Sequence, residues 1–179
     1  MAQLLAPRAR PAGVPGPGRW LVDPARTRVI CSGRASRLLP TVRAWFAASA
    51  GEVRIAVDPG DSGLDVVIDV ASLTTGKGPW DQALRAADPL SASAFPTATY
   101  RSRSIRWTGP GHAEVDGDLD LGGRSQQVAL TVDYRDRDDV VELTASGSIA
   151  AETRINVPGF SALIPRQFAL DIEAVAVPV

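Results

Sequence analysis

Leu64-Asp65-Val66-Val67-Ile68-Asp69-Val70 decides the fold class. Leu64, Val66, Ile68 and Val70 fall on one side of an extended chain, and Asp65 and Asp69 on the other. That period of two marks a strand with one face in a core and the other in water. Downstream, Val128, Leu130, Val132 and Tyr134 oppose Ala129, Thr131 and Asp133, and Val115, Leu119 and Leu121 oppose Glu114, Asp116, Asp118 and Asp120. Acidic residues on the solvent face of a strand also discourage edge-to-edge association.

Working outward, further strands are expected over Trp20–Cys31, Glu52–Asp58, Thr99–Trp107, Val140–Ile149 and Phe168–Val177. Asp58-Pro59-Gly60-Asp61 and Thr108-Gly109-Pro110-Gly111 are turns, because Pro presets φ and Gly accepts positive φ. Gly122-Gly123, between two alternating runs, reads as a hairpin turn. The sum is about eight strands, the number of a small barrel able to hold one ligand. Pro79 to Ala87 breaks the period. Pro stands early, Trp80 and Leu84 lie four apart, and Asp81 and Arg85 complement the helix dipole, so a short helix across the mouth or side of the barrel is expected. The fold class is therefore all-β, an eight-stranded antiparallel barrel with one short helix.

At 179 residues, 45% of them apolar, one domain with a real core is expected. Its limits are read as 19–179, preceded by a Pro/Gly-rich tail over 1–18 whose segment Pro11 to Gly18 should be flexible and solvated. The tail has only the apolar patch Leu4 to Ala6 before Arg8 and Arg10, the wrong order for a secretory leader, and a cytoplasmic location is expected. No run approaches the roughly 20 apolar residues of a membrane-spanning helix. The 19 basic and 20 acidic residues leave a net charge of -1, so no global field favours nucleic acid as a partner. A homodimer is left open.

Catalytic chemistry is poorly supplied. Cys31 is the only cysteine, which excludes an intrachain disulfide and a cysteine metal cluster, and its neighbours Ile30 and Ser32 favour an inert strand thiol. His112, the only histidine, sits in a Gly/Pro loop, where solvation is the commoner state. The carboxylates alternate onto solvent faces instead of converging in a cleft. Asp136 to Asp139 lacks the later glycine and glutamate of a calcium loop and reads as a hairpin turn. No phosphate loop or dinucleotide fingerprint follows a strand. Trp20, Trp45, Trp80 and Trp107 are each read first as core residues. Neither an enzyme, nor a cofactor, nor a metal site is expected.

The order of motifs resembles the YceI-like family of lipocalin-like polyisoprenoid-binding proteins. The resemblance runs from Trp20 to about Val177. It begins at Trp20, Val22, Asp23, Pro24 and Ala25, with Arg26-Thr27 in place of the family's His-Ser. It is strongest in Ser72-Leu73-Thr74-Thr75-Gly76, then Asp81, Leu84-Arg85 and Asp88, then Phe95-Pro96-Thr97-Ala98-Thr99-Tyr100-Arg101-Ser102. Val115-Asp116-Gly117-Asp118-Leu119, Gly123 and Val128-Ala129-Leu130 continue it, and Arg154 and Asn156 fall where the family often carries Arg-x-Asp-Phe-Gly. Three departures are plain. Ala35 replaces a second family histidine, Pro89-Leu90 replaces a double Phe, and Val42-Arg43-Ala44-Trp45-Phe46 lacks the glycine of the family's Val-x-Gly-x-Phe.

The resemblance implies a lipocalin-like barrel holding an isoprenoid or other long-chain lipid, as carrier, store or sensor. The inward set expected to touch it is Leu64, Val66, Ile68, Val115, Leu119, Leu121, Val128, Leu130 and Val132, each of which also fits ordinary core packing. Arg85 and Arg101 are candidates for an anionic headgroup. A barrel filled by side chains and used as an interaction module is the alternative. A lipid-directed hydrolase or isomerase is the third, and a buried polar residue such as Asp81 or His112 lining the lumen would favour it.

Overall fold

The computed structural model describes residues 12–137, 139–151 and 155–179. Their strands are β1 (Gly18–Val22), β2 (Arg28–Gly33), β3 (Val42–Ile55), β4 (Gly63–Thr74), β5 (Thr97–Gly109), β6 (His112–Leu121), β7 (Arg124–Arg137), β8 (Val140–Ala150) and β9 (Gln167–Pro178). Every pairing is antiparallel. From β2 to β9 each strand pairs with the next, and β2 pairs with β9 to close the ring. β1 adds no ninth stave. Like β2 it pairs with both β3 and β9, so the two lie end to end as one interrupted stave of an eight-stranded barrel.

The interruption corrects the expected single strand Trp20–Cys31. Pro24 has no N–H to give the ladder, and Pro24–Arg26 forms a 3-10 turn. Asp23 holds the turn, its carboxylate accepting from the Ala25 N–H at 2.9 Å and pairing with Arg26 Nε at 2.7 Å. The second correction concerns Glu52–Asp58. The strand there, β3, begins ten residues earlier and stops at Ile55, because Asp58 caps a 3-10 turn at Pro59–Asp61. Register shifts between Trp45 and Ala47 and between Ala48 and Ala50 break its alternation. A bulge puts two residues opposite one, which erases the period of two from the sequence.

Turns divide the barrel into two ends. At one lie the 3-10 turn Pro59–Asp61, the β5–β6 turn and residues 12–17. Val14 and Pro15 are buried there, contrary to the expected solvated stretch, because Gly13 reaches the Pro110 turn and the two apolar residues follow it inward. Residues 1–11 and Arg154 lie outside the described residues, as does Asp138 in the β7–β8 connection. At the other end lie the β2–β3 loop, the β6–β7 turn, the β8–β9 connection and α1 (Gly78–Ala87). Gly122 and Gly123 have φ of 59° and 77°, the pair of positive values a two-residue primed hairpin requires.

Asp81 fastens α1 to the barrel. Its carboxylate accepts from Thr74 Oγ1 at 2.7 Å, from the Thr75 N–H at 2.7 Å and from Thr75 Oγ1 at 2.6 Å. Burial works against the ionised form, but the hydrogen bonds from Thr75 and Thr74 outweigh it and hold the carboxyl below the ordinary aspartate range.

Candidate functional site

The apolar faces of the strands converge on a cavity of about 470 Å³ inside the barrel. Small-molecule sites span about 300–1,000 Å³, so this space is of ligand size. Leu64, Val66, Ile68, Val115, Leu119, Leu121, Val128, Leu130 and Val132 all line it. Alternation places them there, since a residue two positions along a strand returns to the same face.

Packing is unequal along the barrel axis. Near the N-terminal segment, Val14, Trp20, Ile105, Tyr134 and Val141 are buried. Trp107 meets Tyr134 edge-on with ring centroids 5.5 Å apart, and its Nε1 donates to the Pro59 carbonyl at 3.1 Å. These rings line the cavity at that end. Toward α1 the lining side chains Leu73, Leu90, Leu121, Ile149 and Phe168 are only half-buried. There Trp80 and Leu84 of α1 face the cavity, and Trp80 packs against Phe160 at 4.7 Å. The helix thus sits at the mouth, one of the two places expected of it.

Inside, Tyr100 crosses Gly117, where a Cβ would come within 2.6 Å of the tyrosine Cζ. The Tyr100 hydroxyl donates to the Val128 carbonyl at 3.1 Å, and burial, aided by Asp116 and Asp118, pushes its pKa up to about 12. It is a neutral donor fixed on backbone. Cys31 also lines the cavity, and burial followed by the charge of Asp171 raises its thiol to about 12. The inert reading of Cys31 follows, because the thiolate is the reactive form.

The polar candidates lie elsewhere. Arg101 points outward and pairs with Asp65 at 2.6 Å, because the neighbouring Tyr100 takes the inner face of β5. Arg85 is exposed on α1 and does not line the cavity, which is met by the Trp80 and Leu84 face. Neither Arg85 nor Arg101 lines the cavity. Among the described residues, the arginine that lines the cavity is Arg124, with Gln126 also in the lining. Its signal in the sequence was its place directly after Gly122-Gly123, at the rim end of β7. His112 hydrogen-bonds Asp133 on the outer wall, where both side chains are 61% exposed. Neither it nor Asp81 lines the lumen. Trp45 faces outward from β3, in a shallow outer groove with Arg43 and Asp171.

A family model for the YceI-like domain matches residues 20–176. The chain belongs to the YceI-like family. It is similar to a UPF0312 protein of Ectopseudomonas mendocina (strain ymp), 35% identical over 79 residues, which are 44% of this chain and 41% of the relative. It also matches a UPF0312 protein of Vibrio cholerae, 33% identical over 73 residues, 41% of this chain and 39% of that one. The matches thus span about two fifths of these relatives' length. Among solved structures, Burkholderia cenocepacia BcnA superimposes with a TM-score of 0.71 at 20% identity, covering 87% of this chain and 99% of that one. A polyisoprenoid binding domain from Saccharophagus degradans superimposes with a TM-score of 0.65 at 15% identity, covering 92% and 100%. At such identities the likeness carries the YceI-like barrel, and the eight-stranded antiparallel fold agrees with it. Among the described residues of this YceI-like chain, no helix is long and apolar enough to cross a membrane.

Proposed function

We propose that this YceI-like barrel is a binding protein without a catalytic step, and that it takes a polyisoprenoid or another long-chain lipid into its lumen. The observation that carries the reading is the cavity itself, of about 470 Å³ and walled by aliphatic and aromatic side chains from all eight staves. Each buried CH₂ contributes about 0.8 kcal/mol, so ten carbons supply about 8 kcal/mol before the cost of ordering the chain is subtracted. The nine alternating residues are the proposed lipid contacts, together with Trp80, Leu84 and Phe168 nearer the mouth. Likeness to the polyisoprenoid binding domain of Saccharophagus degradans supports the class of ligand.

The interaction-module alternative requires bulky residues across the lumen. Ala44, Ala98 and Ala145 line it instead. Enzyme chemistry would need an activated group among the lining residues, and the two polar ones of note, Tyr100 and Cys31, are held protonated.

Titration with cis-parinaric acid, a polyene fatty acid that fluoresces in apolar surroundings, tests the reading. Saturable uptake near one probe per chain, displaced by a polyprenyl alcohol and lost in Phe168→Arg with unchanged circular dichroism, is expected. No saturable uptake by the folded wild type contradicts it.

A further inference from the structure

Charge is distributed unevenly between the two ends of the barrel, although the chain as a whole carries only -1. The described segments around the mouth, residues 34–41, 75–96, 122–124, 151 and 155–167, contain Arg34, Arg37, Lys77, Arg85, Arg124 and Arg166. Their only carboxylates are Asp81 and Asp88, and both are turned onto the protein. Asp81 is held by Thr74 and Thr75, and Asp88 accepts from the N–H groups of Ala92 and Ser93 at 2.6 and 3.1 Å and from Ser93 Oγ at 2.5 Å. At the packed end the balance reverses. Its described segments, 12–17, 56–62, 110–111 and 139, hold Asp58, Asp61 and Asp139 and no basic residue.

The basic end also carries an apolar tip. Leu38 is 96% exposed in the β2–β3 loop, next to Arg37 and two residues before Pro40, and Phe95, against Gly123 of the β6–β7 turn, is exposed at the same end. An exposed leucine among arginines at the rim of an apolar cavity serves neither the barrel's packing nor its solubility.

We propose that the mouth of the barrel docks on the surface of an anionic lipid bilayer. The exposed cations Arg34, Arg37, Lys77, Arg85 and Arg166 meet the headgroups, Leu38 enters the boundary between headgroups and acyl chains, and the acidic packed end faces away. Each basic side chain near an anionic membrane contributes about 1 kcal/mol, or about fivefold in partitioning, and one apolar side chain adds a comparable amount. The cavity then opens directly onto the membrane, and a lipid crosses between them without entering water. That last step rests on the proposed lipid cargo; the docking itself does not.

Co-sedimentation of the full chain with vesicles tests it, comparing phosphatidylcholine alone with phosphatidylcholine mixed with phosphatidylglycerol. At about 0.1 M salt, where the screening length is about 10 Å, partitioning onto the anionic vesicles should exceed that onto the neutral ones by about tenfold or more, and should fall as salt rises. Arg37→Glu and Leu38→Glu, both on exposed positions, should each lower it by about fivefold or more. Val57→Glu, at an exposed apolar position on the packed end, should change it by less than about twofold. Equal binding to both vesicles, no binding, or an equal loss in Val57→Glu overturns the proposal. Lipid in organic extracts of the same preparations is scored separately. Docking without cargo removes the cargo reading and leaves the docking, whereas cargo without docking does the reverse.

Discussion

The two ends of the barrel are built from the same eight staves and differ in what fills them. At the packed end Trp107 meets Tyr134 edge-on, and Trp20, Tyr134 and Val141 are buried. Toward α1 the same strands present Ala44, Leu90, Leu121 and Phe168, half-buried around open space. One end therefore holds the fold together, and the other gives up packing to make room. Close packing would be worth several kcal/mol there, so a lumen left open in a natural chain points to an occupant.

The largest test of this contrast is truncation at each end. Trp20→Ala should lower the unfolding free energy by about 3–5 kcal/mol in urea denaturation, whereas Phe168→Ala should lower it by under about 2 kcal/mol, since its ring is already half solvated. Equal losses would abolish the distinction between a structural end and a binding end.

Gly117 probes the wall between them. Gly117→Ala puts a Cβ 2.5 Å from the Arg101 carbonyl and against the Tyr100 ring, and overpacking of that kind costs about 1–3 kcal/mol. The loss is read by thermal or urea unfolding. Tyr100→Phe introduced together with it should not restore stability, because the backbone contact remains.

Asp81 ties the mouth to the wall and should have a smaller effect, with a pH signature. Its carboxyl is held below the ordinary aspartate range in the folded chain, so the stabilisation is fully present above the unfolded pKa and is lost as pH falls through the lower folded value. Asp81→Asn should therefore cost about 2 kcal/mol at neutral pH and progressively less in acid, where wild type and variant unfold alike. A difference that stays constant with pH would show that the carboxylate is not the fastening.

The smallest effect is expected at Cys31. With its thiol raised to about 12, labelling by a disulfide reagent near neutral pH should be negligible in the folded chain and fast in urea. Rapid labelling of the native protein would mean that the lumen wall is open to water at β2.

Wherever alternation was unbroken the lumen was legible in the sequence. β4, β6 and β7 supplied nine inward positions from period two, and every one of them lines the cavity. β3 was hidden by its bulges, and with it Val42, Ala44 and Phe46 of the opposite wall. Arginines were harder to place than aliphatic residues. Arg85 and Arg101 stand out by charge beside family motifs, and neither pattern says which side of a helix or strand end meets the mouth. Loops have no period, so the burial of Val14 and Pro15, and the approach of Phe160 to Trp80, arise from contacts distant in sequence. The basic rim was invisible for the same reason: its cations come from four separate connections that only closure of the barrel brings to one end.

The central claim is that the open half holds a long apolar chain in the cell. Mass spectrometry of organic extracts from the purified native protein tests it most directly, alongside Leu130→Arg, which puts a charge into the lumen. The account predicts a near-stoichiometric isoprenoid or other long-chain lipid in the wild type, absent from a variant shown by circular dichroism to remain folded. A wild-type protein that yields no such lipid, and takes up none when supplied with it, would contradict the account.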